Sequence, residues 1–501
     1  METNGDNLNC HSHPIHQQTT IPPSVQQFAK ILTTVLLLVQ VGTSPAAQPN
    51  VLFIAVDDMR TNIGCYGDPI AVTPHIDKLA SRGIRFDRAY CQFASCNASR
   101  SSLLTGKRPD SISVWKLNTN FRKTAPESVT LPQHFRQNGY HTEAIGKVLH
   151  NYTETMRDNA LSWSVPARFD KVNHFRDYGL QDNLPPPGKL KKTTVAENAD
   201  VPDGSYADGV IAEDAVETIY RLADAENPFF LAVGFLKPHS PYNAPKKYWD
   251  LYNRADMRAM GPTNRPIGIP DMNWVYPREI RNFSDVPEHE PISEETEARM
   301  RHGYYAATSY TDANIGRLLD ALDKSGAADN TIVVLWSDHG YHLGENDHWA
   351  KVTVRELDAQ VPLLVALPQG TFGSTAALVE SIDIYPTLSE LCDLPKPAEI
   401  DGRSFESVLK KTDSEFRSTA LTQVCRPWFT NEAIEQMGYS IRSGTYRYTQ
   451  WIDFDSQKIL AEEFYDIDAD RLQRNNLIGE LDPDRLSEFR AKMAVTRNQT
   501  R

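Results

Sequence analysis

Four short apolar runs constrain the fold of this chain more than any other feature of its sequence. They are NVLFIAV (50–56), PFFLAVGF (228–235), TIVVLWSDHG (331–340) and VPLLVAL (361–367). Continuous apolar runs of this length are typical of strands that are buried on both faces of a sheet. Because helical patterns lie between these runs, the sequence predicts an α/β fold. We expect a large mixed, mostly parallel sheet flanked by helices on both faces.

The intervals between these runs divide into predicted helices and predicted insertions. A helix is expected at 74–82, and a long helix with an acidic first turn is expected at 293–324. The intervals 151–205 and 251–291 are polar and rich in proline or charge. They predict two long insertions over one face of the fold, where such segments often shape a binding site.

The hydrophobic pattern of the sequence changes after about residue 403. Short alternating patterns such as YSIRSGTYRYTQW (439–451) predict a smaller C-terminal domain built on an antiparallel sheet. The predicted divisions are a signal-containing N-terminal segment (1–47), a catalytic domain (48–410) and a smaller C-terminal domain (411–501).

One apolar run, ILTTVLLLVQVGT (31–43), lies near a terminus. Its length and moderate hydropathy argue against a membrane span. Lys30 before it and the small residues after it are typical of a signal peptide that is cleaved near Ala46 or Ala47. A buried strand or an anchor helix is the alternative. The sequence thus predicts export to the periplasm or the extracellular space, without stable membrane insertion.

Net charge and cysteine spacing exclude several other classes. The formal charge of −13 argues against nucleic acid as a partner, because no broad basic field would attract phosphates. An anionic substrate must then be held by local positive charge. The six cysteines form no CxxC pair, so neither a zinc site nor a disulfide framework is indicated, although a single bridge stays open.

Carboxylates follow two of the apolar runs. Asp57 and Asp58 come directly after the first run, and Asp338 and His339 come near the end of the third. Polar groups beyond the carboxyl ends of strands converge in α/β sheets, and converging carboxylates repel unless a cation lies between them. Three carboxylates favour Ca²⁺ or Mg²⁺, and a histidine softens this preference. Either pair alone is equally consistent with a helix cap or a solvated turn.

Basic and titratable side chains also lie beyond predicted strands or in the segment FASCNASRSSLLTG (93–106). They are Arg100, Lys147, His150, His239 and Lys351. Taken singly, each is consistent with an ordinary surface or capping residue. Cys96 precedes Arg100 by one helical turn, at the point where a helix from about Asn97 would direct free N–H groups towards it. A buried small hydrophobe and a Cys–His nucleophile are alternatives for Cys96.

The pair CNASR and LLTG within this segment resembles the sulfatase signature, in which the cysteine is converted to formylglycine. Further blocks resemble the same family in the expected order, from Val51 to Leu477: VLFIAVDDMR, TPHIDKLASRG, GYHTEAIGKVLH, FLKPHSPY, HGYYAATSYTDANIGRLLDAL, WSDHGYHLGENDHWAK, SIDIYPTLSEL, DGRSF and FYDIDADRLQRNNL. Within the family, KVLH, KPH and SDHGYHLGE are most similar to iduronate-2-sulfatases and their bacterial relatives.

The resemblance implies an enzyme that hydrolyses O-sulfate esters on a sulfated oligo- or polysaccharide, with a 2-O-sulfated uronate-type residue as the expected substrate. It also implies one Ca²⁺ ion, held by Asp57, Asp58, Asp338, His339 and the modified Cys96. The built-in modified residue would be formylglycine, made from Cys96 by a formylglycine-generating or radical maturation enzyme. A hydrated aldehyde would then supply the nucleophile.

The resemblance implies roles for the remaining site residues. Arg100 would steady the formylglycine hydrate, and Lys147 and Lys351 would bind the sulfate oxygens. His150 would act on the hydrate as a base, and His239 would contact the sulfate and help to protonate the leaving sugar oxygen. The three cationic side chains balance the three aspartates, and a divalent ion would leave the site with two positive charges. Such a surplus favours the binding of a singly charged sulfate ester.

One departure from the signature concerns maturation. The family commonly has proline two residues after the cysteine, and this chain has Ala98, a known variant of the pattern. Two other functions stay open. A phosphatase or phosphonate hydrolase of the same superfamily predicts two metals and more histidines near Asp338, with HLGE (342–345) as the segment to inspect. A non-catalytic saccharide-binding protein predicts an unmodified Cys96.

Overall fold

The computed structural model describes residues 48–150, 159–169, 174–186, 193–258, 261–429 and 432–498, and the predicted signal segment lies outside them. The strands, in chain order, are β1 (Asn50–Asp57), β2 (Ile84–Tyr90), β3 (His141–Gly146), β4 (Ala196–Glu197), β5 (Phe229–Pro238), β6 (Tyr242–Asn243), β7 (Thr331–Ser337), β8 (His342–Leu343), β9 (Trp349–Ala350), β10 (Gln360–Val361), β11 (Leu363–Ala366), β12 (Gly373–Glu380), β13 (Ala420–Arg426), β14 (Gln436–Ser443), β15 (Tyr446–Asp453) and β16 (Ile459–Asp466). The helices are α1 (Pro74–Ser81), α2 (Cys96–Thr105), α3 (Pro109–Ile112), α4 (Phe121–Thr124), α5 (Leu131–Gln137), α6 (Asn159–Ser162), α7 (Ala207–Ala223), α8 (Lys246–Trp249), α9 (Arg278–Arg281), α10 (Glu294–Lys324), α11 (Glu356–Ala359), α12 (Ile384–Leu391), α13 (Glu406–Lys410) and α14 (Pro483–Asn498).

A large mixed sheet forms the centre of the fold, as the apolar runs predict. Its strand order is β10-β2-β11-β7-β1-β5-β3, and β12 also pairs with β2. The central pairs β7-β1, β1-β5 and β5-β3 are parallel, whereas β10 and β11 run antiparallel to their neighbours. The fourth apolar run forms two short strands instead of one, separated by Pro362, whose nitrogen has no hydrogen to donate to a ladder.

The central strands bury both of their faces. Along β1, alternate residues such as Phe53 and Ile54 belong to two different hydrophobic clusters, because successive side chains of a strand point to opposite faces. Helices α7 and α10 contribute Ile219 and Ile315 to the cluster that contains Ile54. The cluster that contains Phe53 includes Phe135 of α5. Helices therefore cover both faces, and the predicted fold class is confirmed.

The long helix α10 begins and ends where the sequence predicts. Ser293 precedes its first residue, and the side chain of Ser293 accepts a hydrogen bond from the N–H of Thr296. This contact satisfies one of the N–H groups that a helix leaves without an internal partner. Within the described ranges, no helix combines the length and the apolar content that crossing a bilayer requires.

The C-terminal part of the chain forms the expected antiparallel sheet, in the order β13-β14-β15-β16. Its side chains, among them Leu421, Tyr448 and Trp451, belong to the same hydrophobic cluster as Phe53 of the central sheet. A β-bridge also joins Gln423 to Phe93, three residues before Cys96. The described residues from 48 onward form one compact unit, and a domain boundary at residue 411 stays a prediction.

Candidate active site

The register of the central strands brings three polar strand ends to one edge of the sheet. Val56 of β1 lies opposite Ser337 of β7, and Asp57 lies opposite Pro238 of β5. Asp58 and Asp338 therefore leave the sheet side by side, and the N–H of Asp58 donates to Asp338 Oδ1 at 3.1 Å. Both aspartates and their neighbour Asp57 are fully buried. The convergence expected from the sequence is present.

Cys96 is the first residue of α2 and is directed at this edge. Its Sγ lies 3.3 Å from Nε2 of His339. Burial raises the pKa of the Cys96 thiol well above its usual range, and the nearby Asp57 raises it further. The thiol is therefore protonated at neutral pH, which disfavours a thiolate nucleophile.

Arg100 lies one turn later in α2 and joins two of the strand ends. Its Nε donates to Asp338 Oδ2 at 2.9 Å, and its Nη2 donates to Asp57 Oδ1 at 3.0 Å. Nη1 donates to the carbonyl oxygen of Lys147. The guanidinium is fully buried, so these charge-assisted bonds replace its solvent shell. In this structure, Arg100 holds the aspartates in place, and a contact with a formylglycine hydrate stays a prediction.

Two buried lysines bind the adjacent carboxylates. The Lys147 ammonium pairs with Asp57, and Lys351 Nζ lies 2.7 Å from each carboxylate oxygen of Asp58. Burial acts to raise the pKa of Asp57, but Lys147 and Arg100 outweigh it and hold that pKa well below its usual range. For Asp58 burial prevails over Lys351, and its pKa lies well above the usual range.

Two of the three predicted histidines lie near Asp58, and the third follows β3. His339 Nε2 lies 3.4 Å from Asp58 Oδ1, and His239 Nε2 lies 3.8 Å from Asp58 Oδ2. His150 follows β3 and is buried, and its pKa is held well below its usual range, first by burial and then by the Lys147 ammonium. The His150 imidazole is therefore neutral at physiological pH, the form that a general base requires, and its lowered pKa makes it a weak base.

Three carboxylates, Cys96 and two of the histidines, His239 and His339, form a set that fits one metal ion. Donor atoms of Asp57, Asp58, Cys96 and His239 lie within 4.8 Å of one another, and so do those of Asp58, Cys96, Asp338 and His339. Both groups contain Asp58 and Cys96, so they describe one cluster. Three buried carboxylates supply mainly oxygen donors, which suits a hard divalent cation. The high pKa of Asp58 reflects a burial cost that such a cation would offset.

A second histidine cluster lies outside this set. His342 and His348 are buried with Asp358, and His342 Nδ1 lies 2.6 Å from Asp358 Oδ1. Glu345, the acidic residue of HLGE, pairs instead with Arg60 at 3.0 Å. In the described residues, the HLGE segment thus contacts Asp358 and Arg60, and neither of these belongs to the cluster around Cys96.

The sequence interpretation missed one residue of the site, Glu279 of α9. Its side chain is 11% exposed, and its Oε2 lies 3.2 Å from Nζ of Lys351. Glu279 lies in the predicted insertion 251–291, where a four-residue helix in a charged stretch carries no signal of a site. With this fourth carboxylate, the charge expected for a site with a divalent ion falls from two positive charges to one.

The chain is similar to several known proteins. Residues 49–394 match the family model described as Sulfatase, and residues 344–499 match the one described as N-sulphoglucosamine sulphohydrolase, C-terminal. Iduronate 2-sulfatase of Mus musculus is 32% identical, covering 87% of this chain and 92% of its own length. The Homo sapiens protein of the same name is 33% identical, with 85% and 90% covered. A phosphonate monoester hydrolase structure from Agrobacterium radiobacter superposes with a TM-score of 0.72 at 20% identity, covering 90% of this chain and 96% of that one, a likeness of fold alone.

Proposed function

This chain belongs to the sulfatase family of sulfuric ester hydrolases, and from that premise we propose that it removes O-sulfate from a sulfated saccharide. We propose a 2-O-sulfated uronate-type residue of a polysaccharide as the substrate, because two relatives are named for iduronate 2-sulfate chemistry. The observation that carries the proposal is the convergence of Lys147, Lys351 and Arg100 on the buried carboxylates around Cys96. Together with a divalent ion, these cations would leave a local positive surplus that can hold an anionic ester on a chain of net charge −13.

Two groups would complete the site. Asp57, Asp58, Asp338, His339 and Cys96 would hold one Ca²⁺ ion, which when bound supplies positive charge that makes a neighbouring hydroxyl more acidic. Conversion of Cys96 to formylglycine would supply a hydrated aldehyde in place of the thiol. Both proposals agree with a donor set rich in carboxylates and with a thiol that stays protonated.

The side chains of this protein would then perform four tasks. Lys147 and Lys351 would hold the sulfate oxygens through their ammonium groups, which are buried and therefore weakly screened. Arg100 would fix the positions of Asp57 and Asp338 through the two bonds described above. His239, near Asp58, would give a proton to the leaving sugar oxygen. His150, neutral at physiological pH, would accept a proton from the nucleophile.

The function is tested with protein produced together with a maturation enzyme. We expect release of sulfate from a disaccharide that carries a 2-O-sulfated uronate, and faster turnover of 4-nitrophenyl sulfate than of 4-nitrophenyl phosphate. Faster turnover of the phosphate ester would favour the phosphatase or phosphonate hydrolase alternative. Saccharide binding without turnover, with an unmodified Cys96 by mass spectrometry of protein from its native host, would favour the non-catalytic alternative.

The metal proposal predicts a loss of cation affinity when one carboxylate is neutralised. We expect Asp338→Asn to weaken Ca²⁺ binding by at least about 10-fold, because a side chain proposed to bind the ion directly loses its charge. Calorimetry with Ca²⁺ and a metal count on the purified protein measure the effect. The matched control is Asp329→Asn, at the exposed amino-terminal side of the same strand β7, which should bind Ca²⁺ like the wild type. Equal affinity in both variants would contradict the proposed ligand set.

Two further proposals concern the route to the active protein. We propose export to the periplasm or the extracellular space, supported by the predicted signal segment at 31–43. We also propose a formylglycine-generating or radical maturation enzyme as a partner. Ala98, which replaces the common proline of the signature, is the third residue of α2 and is buried, so recognition would take place before the chain folds.

A further inference from the structure

Glu279 is the one acidic side chain of the insertion 251–291 that contacts the proposed sulfate-binding groups in the described residues. Its two carboxylate oxygens face different partners. Oε2 lies 3.2 Å from Nζ of Lys351. Oε1 accepts a hydrogen bond from Ser240 Oγ at 3.0 Å and lies 3.9 Å from Nε2 of His239. The side chain therefore links the loop after β5 to the segment after β9.

Lys351 lies between two carboxylates. Asp58 approaches its ammonium from one side at 2.7 Å and Glu279 approaches it at 3.2 Å. A lysine ammonium sits on a flexible four-carbon stem, and two acidic side chains, one on either side, restrict it to one position. The carboxylate of Glu279 also lies beside His239, whose Nδ1 is 2.7 Å from the Ser240 carbonyl oxygen. Glu279 thus constrains Lys351, and Glu279 and Ser240 together constrain His239.

A carboxylate at this position has an electrostatic cost. The proposed substrate and the sulfate product are anions, and a carboxylate within a few ångströms of their binding site repels them, most strongly where burial limits screening. Glu279 also reduces the charge surplus that attracts sulfate. A carboxylate here is therefore expected to weaken the binding of sulfate while it orders the proposed sulfate-binding groups.

We propose that Glu279 is a positioning residue that holds the Lys351 ammonium and the His239 imidazole at the sulfate-binding side of the site and limits how tightly the site retains sulfate. The proposal rests on the function proposed above. It predicts two effects of opposite sign when the charge is removed. Turnover falls because Lys351 and His239 lose their common anchor, and sulfate binds more tightly because a repulsive charge is gone.

The test compares Glu279→Gln with the wild type by two independent measurements. For Glu279→Gln we expect kcat on a sulfate ester to fall by about 10-fold or more. In calorimetry, we expect the dissociation constant of inorganic sulfate to fall by about 3- to 10-fold. Glu279→Asp keeps the charge on a shorter side chain, so its sulfate affinity should stay close to that of the wild type while kcat recovers in part. The matched control is Glu288→Gln, an exposed residue of the same insertion, which should change neither quantity.

The two proposals fail in different ways. If the wild type turns over no sulfate ester, the proposed function is wrong, while the sulfate affinities of the variants still test Glu279. If Glu279→Gln leaves both kcat and sulfate affinity unchanged, the role of Glu279 is overturned. A variant that binds sulfate more weakly and melts at a lower temperature would also overturn it, because that result describes a purely structural residue.

Discussion

Replacing Cys96 with alanine is expected to lower kcat/KM for a sulfate ester by about 10⁵-fold or more, since the proposed nucleophile derives from this side chain. The protein should still fold, because alanine fills most of the space of a small buried residue at the start of α2. Initial rates with a sulfate ester measure the loss, and the melting temperature verifies the fold. Mass spectrometry of the wild-type peptide that contains residue 96 reports whether its sulfur has been lost.

The matched control for this experiment is Cys91→Ala. Cys91 is also fully buried and lies five residues earlier, with its Sγ 3.6 Å from the carbonyl oxygen of Asp358. Its removal should affect stability modestly and leave the rate within about threefold of the wild type, because its sulfur lies outside the metal-ligand cluster. Full activity in Cys96→Ala, or an equal loss in both variants, would contradict the nucleophile assigned to Cys96.

Replacing Glu356 with glutamine is expected to lower the free energy of unfolding by about 3–5 kcal/mol. Glu356 is buried at the start of α11, and its Oε2 accepts from Arg447 of β15 at 2.6 and 3.0 Å. Oε1 accepts from the Tyr90 hydroxyl at 2.7 Å. The substitution leaves the fully buried Arg447 guanidinium without its carboxylate, and an unpaired buried charge is costly. Urea denaturation at pH 7 measures the change.

The same pair makes stability depend on pH. Burial acts to raise the pKa of Glu356, but Arg447 and Arg442 outweigh it and hold that pKa at about 2, against about 4.3 in an unfolded chain. A depressed carboxyl pKa contributes stability that is fully present above the unfolded value and is lost as pH falls towards the folded value. The difference between wild type and Glu356→Gln should therefore shrink between about pH 4 and pH 2.

A surface pair provides the control for this prediction. Glu488 of α14 is paired with Lys492 at 2.7 Å, and both side chains are substantially exposed. Glu488→Gln should change the free energy of unfolding by less than about 1 kcal/mol, because exposed ion pairs are screened by water and salt. If Glu356→Gln were no more destabilised than Glu488→Gln, the pair between Glu356 and Arg447 would not stabilise the packing of β15 on the rest of the fold.

Much of the fold follows from the local sequence pattern. The runs that form β1, β5 and β7 are apolar on both alternating faces through their centres, and only a strand covered on both faces buries such side chains. Helix α10 is equally local, since its cap, its acidic first turn and its inward-facing positions lie within one segment. The prediction from the fourth run was less accurate, because one proline divides the expected strand into β10 and β11.

The residues of the candidate site also divide into those that the sequence predicts and those that it does not. Asp57, Asp58 and Asp338 could be chosen from the sequence because they end apolar runs, and such ends converge in a parallel sheet. The side chains that pair with these aspartates could not be predicted from the sequence. Arg100 holds two aspartates that lie 43 and 238 residues away, and no local pattern encodes such a contact. Glu279 lies in an insertion without a periodic pattern, and its role was missed for that reason.

The sequence by itself determined the central parallel strands, the long helix, the family and the residue types that a sulfatase site requires, because each depends on neighbouring residues or on a recognisable motif. Only the tertiary structure decided which charges pair. It also decided that the C-terminal sheet shares a hydrophobic cluster with the central sheet. Pairing inside a protein depends on distances of a few ångströms and on burial, and both are set by how distant segments pack. For this reason, the added carboxylate of Glu279 and the charge balance of the site became visible only in three dimensions.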